Sequence, residues 1–337
     1  MPSLQNRQFL LAARPTGLVK RGDFELVTVP VGQPGAGEVL VKVQYISLDP
    51  AMRGWMNEGR SYIRPVALGE VMRAGGAGRV IASNDPSIAV GDAVTGMTGV
   101  QEYALLKASD VVKVDPRQVP LPRYLGLLGM TGMTAYFGLL DVGQPKAGET
   151  VVVSAAAGAV GAVAGQIARI KGCRVVGIAG GADKRRYVVD ELGFDAAIDY
   201  KQEDVRKRLR EYCPKGIDIF FDNVGGEILE AALANLARKA RVVLCGAISQ
   251  YNATDSLKGP RNYLSLLVNR ARMEGFVVFD YAARYGEAVR AMAGWMAEGK
   301  LKAREDVVEG LETFPDTLLK LFRGENFGKL LIKVAND

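Results

Sequence analysis

Apolar and polar positions along this chain follow two rhythms, and the change between them falls near residue 126. In the N-terminal part, "GEVLVKVQYISLD" (37–49) sets Val39, Val41, Val43 and Tyr45 against mostly polar neighbours, the period of a half-buried strand. "GRVIAS", "GDAVTG" and "EYALL" follow, bounded by Gly, Asn, Asp and Pro. Short strands at that spacing predict a small antiparallel barrel or sandwich over residues 1–125. From about 126 the pattern becomes strand–helix alternation. "TVVVSA" (150–155) predicts a strand, and "AVGAVAGQIARI" a helix with a buried face of Val160, Val163, Ala164, Ile167 and Ile170. "CRVVGI" is a second strand, and "DKRRYVVDELG" a helix stopped at Gly193. "AAIDY", "IDIFFD", "RVVLCG" and "MEGFVV" supply further apolar strands, with helical stretches between most of them. That alternation predicts an α/β fold with a doubly wound parallel sheet over 126–300. The closing segment, from about 301 to 337, ends in a strand able to return to the first domain. No repeat or low-complexity linker interrupts the chain.

Composition narrows the class. The 337 residues are 48% hydrophobic and 24% charged, which suits a globular chain of about two domains. The apolar block from Phe9 to Ala13 is too short for a signal-peptide core, so cytoplasm is the expectation. Net charge is +6, but the basic residues are scattered and the clusters at 183–186 and 206–210 are short. No aromatic-interleaved basic stretch points to nucleic acid. There is no histidine, which removes the commonest general base and metal ligand. Cys173, Cys213 and Cys245 are far apart and form no C-x-x-C pair, so neither structural nor catalytic zinc is expected.

The segment "TVVVSAAAGAVGAVAGQIARIKGC" (150–173) carries the first chemical signal, because Thr150 to Ala168 contains no charge. A membrane span is a poor reading, since alanine and glycine drive insertion weakly and Ser154 and Gln166 are polar. A core strand–helix unit without function is one alternative. The other aligns Ala156, Gly158 and Gly161 with the G-x-G-x-x-G of a dinucleotide loop. In that loop the first position turns the chain, the second admits the pyrophosphate and the third lets helix pack on strand. Alanine is tolerable at the first if its φ stays negative. The helix that follows directs N–H groups and a positive dipole end at phosphates. At the end of the second strand, Ala179, Gly180 and Gly181 stand where NAD sites carry an acid, with Lys184 and Arg185 just beyond. That favours a 2′-phosphate, hence NADP(H). Asp183 is read as the cap of the next helix.

With those residues in view, the chain resembles the zinc-free medium-chain dehydrogenase/reductases, and within them the NADPH-dependent double-bond reductases: prostaglandin, plant alkenal and bacterial curcumin reductases. The resemblance is carried by "LDPAMRGWM" (48–56), "GMTGMTAYFGLLDVG" (129–143), "AAAGAVG" (155–161), "LGFDAAIDYK" (192–201), "FDNVGG" (221–226), "CGAISQYN" (245–252), "RMEGFVV" (272–278) and "GENFGKLLIKV" (324–334). It implies a GroES-like barrel completed by the C-terminal strand, with a Rossmann domain between. By position it implies that Gly158, Ala159, Val160 and Gly161 hold the pyrophosphate, and that Lys184 and Tyr200 meet the 2′-phosphate region. Asn223 would lie beside the cofactor. Cys245, Gly246, Ala247, Ile248 and Ser249, with Phe276, Val277 and Val278, would line the nicotinamide side. Asn326, Met130 and Thr134 would flank the ring. The chain departs at Thr131, where relatives often carry proline, and after Tyr251, where some carry a proline-rich run.

The implied reaction is transfer of a hydride from NADPH to the β-carbon of an α,β-unsaturated ketone or aldehyde, followed by protonation at the α-carbon. The protein's task is to orient the substrate and to donate hydrogen bonds to the developing oxyanion. Tyr251 is the candidate donor, with a ring packed over the cofactor as the alternative. Tyr45 and Tyr263 are candidates for the pocket wall. Met52, Trp55 and Met56 offer an apolar rim or a local core cluster. A small hydrophobic enone or enal is the expected substrate, and the resemblance implies a homodimer. A quinone reductase of the same superfamily, or an NADPH-binding protein without catalysis, are the competing readings.

Overall fold

In the computed structural model, which describes residues 4–256 and 259–335, the chain opens with an antiparallel pair, β1 (Gln5–Leu11) and β2 (Phe24–Pro30). There follow β3 (Glu38–Ser47), helix α1 (Ala51–Trp55), β4 (Gly76–Ser83), β5 (Ala93–Gly96), β6 (Tyr103–Lys107) and β7 (Val111–Val114). Strands and helices then alternate as α2 (Met130–Phe137), β8 (Thr150–Ser154), α3 (Gly161–Ile170), β9 (Arg174–Ala179), α4 (Ala182–Arg186) and β10 (Ala196–Asp199). The alternation continues through α5 (Val205–Tyr212), β11 (Ile217–Asp222), α6 (Gly226–Leu233), β12 (Leu236–Leu244), α7 (Leu264–Asn269), β13 (Arg272–Gly275) and α8 (Tyr285–Ala297). β14 (Glu305–Glu309), α9 (Phe314–Arg323) and β15 (Lys329–Lys333) close the chain. These elements form two compact units, Met1–Gly126 with Glu305–Asp337, and Leu127–Arg304.

The first unit is built on β3, which branches. Its first half pairs with β6, from Glu38 to Lys42, and its second half with β15, from Tyr45 to Ser47, while β4 runs along its other side. The sheet order is β14-β15-β3-β4-β5-β7. The simple alternation expected for β3 breaks. Register shifts at Leu40/Val41 and Val43/Tyr45 turn Ile46 into the core, with Val39, Val41 and Val43, and leave Tyr45 half-buried. Tyr45 packs beside a separate cluster of Ala77, Ala93, Leu121, Leu125 and Leu331. In the main cluster the Phe314 ring of α9 lies 5.3 Å from Phe9 and 4.9 Å from Phe24, the latter edge-on.

The second unit is one parallel sheet ordered β10-β9-β8-β11-β12-β13. In its own chain order this is 3-2-1-4-5-6, so the strand order reverses between β8 and β11 while the strands stay parallel. Val151, Val152 and Val153 are fully buried, each worth about 1.5–3 kcal/mol removed from water. The face expected of α3 is only part of the outcome. Val163, Ala164 and Ile167 are buried, but so is every residue from Gly161 to Ala168, because small side chains let the helix be covered all round. Gly165 is obligatory there, since a Cβ would sit 1.9 Å from the Phe194 ring. Gln166, buried in this helix, exchanges two hydrogen bonds with the backbone of Lys302. Gly193 has φ +70° and ends the α4 helical segment as expected. Among the described residues no helix is long and apolar enough to cross a membrane.

Candidate functional site

The strands of the second unit deliver their C-terminal ends to one edge, and the reversal of strand order between β8 and β11 is the usual ligand position in such sheets. The turn after β8 runs Ala155–Val160 into α3. Ala156 has no positive φ, so alanine is tolerated where the loop usually begins with glycine. The left-handed residue is instead Ala155, at φ +51°. Gly161 has the strictest requirement: a Cβ on it would lie 2.3 Å from the Ala155 carbonyl oxygen. At Gly158 the nearest atom would be 3.1 Å away, so its missing side chain matters mainly toward solvent. Gly158, Ala159 and Val160 are partly exposed ahead of α3, presenting its positive end outward.

The end of β9 is shaped for a bulky anion. Gly180 lets the Tyr200 ring and the Lys201 stem close in, for a Cβ there would meet them at 2.8 and 3.0 Å. Gly181, at φ +95°, faces open space. The acid at the end of β10, Asp199, is turned inward, accepting from the backbone N–H of Gly181 at 2.8 Å and of Lys201 at 3.1 Å. Lys184 is partly exposed on α4, while Arg185 lies 3.9 Å from Glu203. Asp183 does not cap α4: Gly181 is the cap residue, and Asp183 instead pairs with Arg186 one turn on. Lys201 was missed from the sequence, although it directly follows Tyr200 in the matching motif.

A buried polar network joins the next two loops. Asp222, at the end of β11 and fully buried, accepts from the Ser154 hydroxyl at 2.9 Å and from the N–H groups of Val224 and Gly225. Burial pushes its pKa up, while the donated hydrogen bonds oppose that shift. Asn223 donates its side-chain N–H to the Ser154 carbonyl at 2.7 Å and its backbone N–H to the Ser154 hydroxyl at 2.8 Å. Asp222 and Ser154 were not singled out in the sequence, although each is the polar last residue of an apolar strand. The loop after β12 hangs on the same residues: Cys245 and Gly246 donate to the Asp222 carbonyl, Ile248 to that of Asn223, and Ser249 to that of Val224. Burial pushes the Cys245 thiol up to about 12. The Tyr251 hydroxyl turns back onto this loop and accepts from the Ala247 N–H at 3.1 Å.

The other candidates are spread over both units, and Phe276, Val277 and Val278 directly follow the C-terminal end of β13. Met130 and Thr134 are the partly exposed positions of an otherwise buried stretch of α2, and the Thr134 hydroxyl donates to the Met130 carbonyl at 2.7 Å. Phe276 packs where Gly138 lacks a side chain, Val277 is half-buried and Val278 is buried. Tyr263 is 59% exposed at the start of α7. In the first unit, Asn326 is half-buried and donates to the Gly328 carbonyl. Met52 does not line a pocket: it has no exposed surface, and with Trp55 and Met56, at the end of α1, it packs into the core cluster, the second of the two readings the sequence left open.

Models described as "N-terminal domain of oxidoreductase" and "Zinc-binding dehydrogenase" match residues 7–114 and 159–294. The NADPH-dependent curcumin reductase of Escherichia coli (strain K12) is 46% identical over 99% of this chain and 98% of its own. The NADP-dependent 2-alkenal reductase of Nicotiana tabacum is 43% identical over 99% of both. This chain belongs to the medium-chain dehydrogenase/reductases, in the NADP-dependent alkenal, curcumin and prostaglandin reductase branch. As in that superfamily, the first unit is a GroES-like domain and the second a Rossmann domain. The crystal structure of CurA from Vibrio vulnificus in complex with NADPH superposes with TM-score 0.94 at 44% identity, covering 98% of this chain and all of that one. Despite the zinc in the second description, the sequence has no histidine, and among the described residues no group of three or more Cys, Asp and Glu is gathered to hold a metal. The residues do fit NADP(H): a glycine turn ahead of a helix, and a β9 end that carries Gly180 and Gly181 in place of an acid, followed by Lys184 and packed by Tyr200 and Lys201, with the Asp199 carboxylate engaged by backbone N–H groups.

Proposed function

We propose that this chain is an NADPH-dependent reductase of the carbon–carbon double bond in α,β-unsaturated ketones and aldehydes. The observation that carries the reading is the tip after β9, where Gly180 and Gly181 replace an acid and Asp199 is committed inward. The full-length likeness to a curcumin reductase and a 2-alkenal reductase supplies the substrate class. Gly158, Ala159, Val160 and Gly161 bind the pyrophosphate at the α3 N-terminus, and Lys184, Tyr200 and Lys201 bind the 2′-phosphate. When bound, NADPH supplies the hydride that adds to the β-carbon. Asn223, the Cys245–Ser249 loop, Met130, Thr134, Phe276, Val277 and Val278 orient the nicotinamide and substrate. Tyr251 donates to the carbonyl oxygen as it gains charge. The N–H that Ala247 gives to the phenol oxygen supports this role, because accepting one hydrogen bond strengthens a hydroxyl as a donor of another.

The test follows NADPH oxidation against enones, 2-alkenals and quinones, with NADH as the control cofactor. Saturated ketone or aldehyde product is expected, and turnover of quinones alone overturns the reading. Tyr251→Phe is expected to lower kcat more than it weakens NADPH binding, and an unchanged kcat removes its donor role. The chain's second copy is its proposed partner. β13 is the edge strand of the sheet, and α7 before it leaves Tyr263, Leu264, Leu267 and Val268 exposed, at 57% or more of their surface. Light scattering should give a dimer that Leu267→Glu with Val268→Asp dissociates. Three unpaired cysteines suit a reducing compartment, the cytoplasm.

A further inference from the structure

We propose that Asp222 and Ser154 form a positioning pair that holds the three cofactor-facing loops of the Rossmann domain in one fixed frame. The inference rests on the reductase reading and deepens it, because neither residue has been given a role in the reaction.

The pair sits where the sheet reverses. Ser154 ends β8 and Asp222 ends β11, strands paired in parallel through Val151 with Ile219, Val152 with Phe220 and Val153 with Phe221. Both side chains are fully buried, and the bond between them crosses the reversal at 2.9 Å. Ser154 immediately precedes the Ala155–Gly161 turn. Its hydroxyl also accepts from the Asn223 backbone, and its carbonyl accepts from the Asn223 side chain. The glycine turn and the Asn223 loop are therefore fastened to the same residue.

From Asp222 the constraint extends in two directions. Its carboxylate holds the Val224 and Gly225 N–H groups, and Gly225, at φ +72°, begins α6. Its backbone carbonyl holds Cys245 and Gly246, 2.9 and 3.1 Å away. The loop ends in Tyr251, whose hydroxyl is bound to Ala247 within it. These hydrogen bonds from the pyrophosphate turn to the loop of the proposed donor thus run through Asp222 and its immediate neighbours.

The side-chain chemistry argues for selection of a carboxylate. A buried negative charge close to a site for an anionic dinucleotide is electrostatically costly, and the partners of Asp222 are hydroxyl and backbone donors rather than a cation. What those donors require is an acceptor-only group. Oδ1 receives Ser154, Val224 and Gly225, and Oδ2 receives Gly225 at 3.1 Å. An asparagine keeping its oxygen at the Oδ1 position would retain the bonds from Ser154, Val224 and Gly225 to that oxygen, but would replace the second acceptor of the Gly225 N–H by an NH₂, a donor facing a donor. A role in filling space would be met equally well by asparagine. Presenting several loop N–H groups in one geometry is not.

The experiment compares wild type, Ser154→Ala and Asp222→Asn for thermal midpoint, NADPH KM, kcat, and the kinetic isotope effect with NADPH deuterated at the transferred position. Ser154→Ala removes a hydroxyl without adding volume, so it keeps the assay meaningful where Asp222→Asn fails to fold. In Ser154→Ala the NADPH KM should rise and kcat fall by about tenfold each, as for a loop displaced by a fraction of an ångström. The isotope effect on kcat should rise, because a misplaced nicotinamide makes hydride transfer more rate-limiting. A purely structural role lowers the fraction of folded enzyme, which reduces the apparent kcat but alters neither KM nor the isotope effect. Unchanged KM and isotope effect in Ser154→Ala overturn the proposal. If wild type itself turns over no enone or enal, the reductase reading fails instead. The pair is then judged by NADPH affinity alone, and an unaltered dissociation constant in Ser154→Ala overturns it.

Discussion

Gly158 and Gly161 lie in one short turn, yet the structure assigns their missing side chains to different tasks. Adding a methyl at Gly161 would place it 2.3 Å from the Ala155 carbonyl oxygen and 3.1 Å from the Ala156 Cα. Ordinary contact needs about 3.4 Å, so strand end and helix must separate by about 1 Å, overpacking of the kind that costs about 1–3 kcal/mol. For a domain of this size, about 2 kcal/mol is a fall of roughly 6 °C in thermal midpoint. At Gly158 the same methyl meets only one backbone atom at 3.1 Å, so the free protein should lose less than about 0.5 kcal/mol, as at surface positions. Its cost appears when a phosphate must approach the backbone: the same overpacking then falls on binding and raises the NADPH dissociation constant roughly tenfold to a hundredfold. The assay is a thermal melt without ligand followed by a fluorescence titration with NADPH. Gly161→Ala should lose stability and affinity together, and Gly158→Ala affinity alone. An unshifted melt for Gly161→Ala, or equal destabilisation of the two, would refute the division of labour.

Replacing Lys184 or Lys201 by Ala should raise the NADPH KM about tenfold and leave that for NADH unchanged, since a charge-assisted bond to phosphate is worth about 1.5–3 kcal/mol; an equal rise for both cofactors in steady-state kinetics contradicts this. In the GroES-like unit, the Lys329 ammonium is buried against Asp49 at 2.6 Å and the Leu48 carbonyl at 2.9 Å. Lys329→Met should destabilise by about 3–5 kcal/mol by stranding the carboxylate, and the double variant with Asp49→Leu should recover most of it. A denaturant titration showing no loss in the single variant argues against this. Desolvation pushes the Cys173 and Cys213 thiols up to about 11, so at pH 8 only about a thousandth of each is ionised. A disulfide reagent should report at most slow reaction from the native chain and three thiols after unfolding. A fast native reaction counts against the buried, protonated assignment.

Elements set by local pattern were legible in the sequence, and so was the turn between β8 and α3, because strand, small residues and helix occur there in unbroken order. The β3 alternation was misjudged at Tyr45, since a bulge depends on which strand lies opposite, and β3 has three partners. Met52 looked available because a methionine in a short motif carries no mark of burial until α1 is seen against its core. Asp183 looked like a cap because it starts a charged run, but the cap position is two residues earlier, at Gly181. The Ser154–Asp222 bond joins residues 68 apart, and no local pattern predicts which strand ends become neighbours. The crossing order of the sheet had to be known first.

The scarcity of soft nucleophiles has a bearing on durability. A 2-alkenal is itself an alkylating agent, forming adducts with thiolates, imidazoles and free amines. This chain contains no imidazole, and it keeps its thiols protonated by burial, two of them out of solvent. What remains is chiefly lysine, whose primary amine adds to such compounds more slowly than a thiolate does. Under the proposed function the chain meets such compounds at every turnover, and it is then poorly suited to being inactivated by them, so the histidine-free composition bears on working lifetime as much as on mechanism.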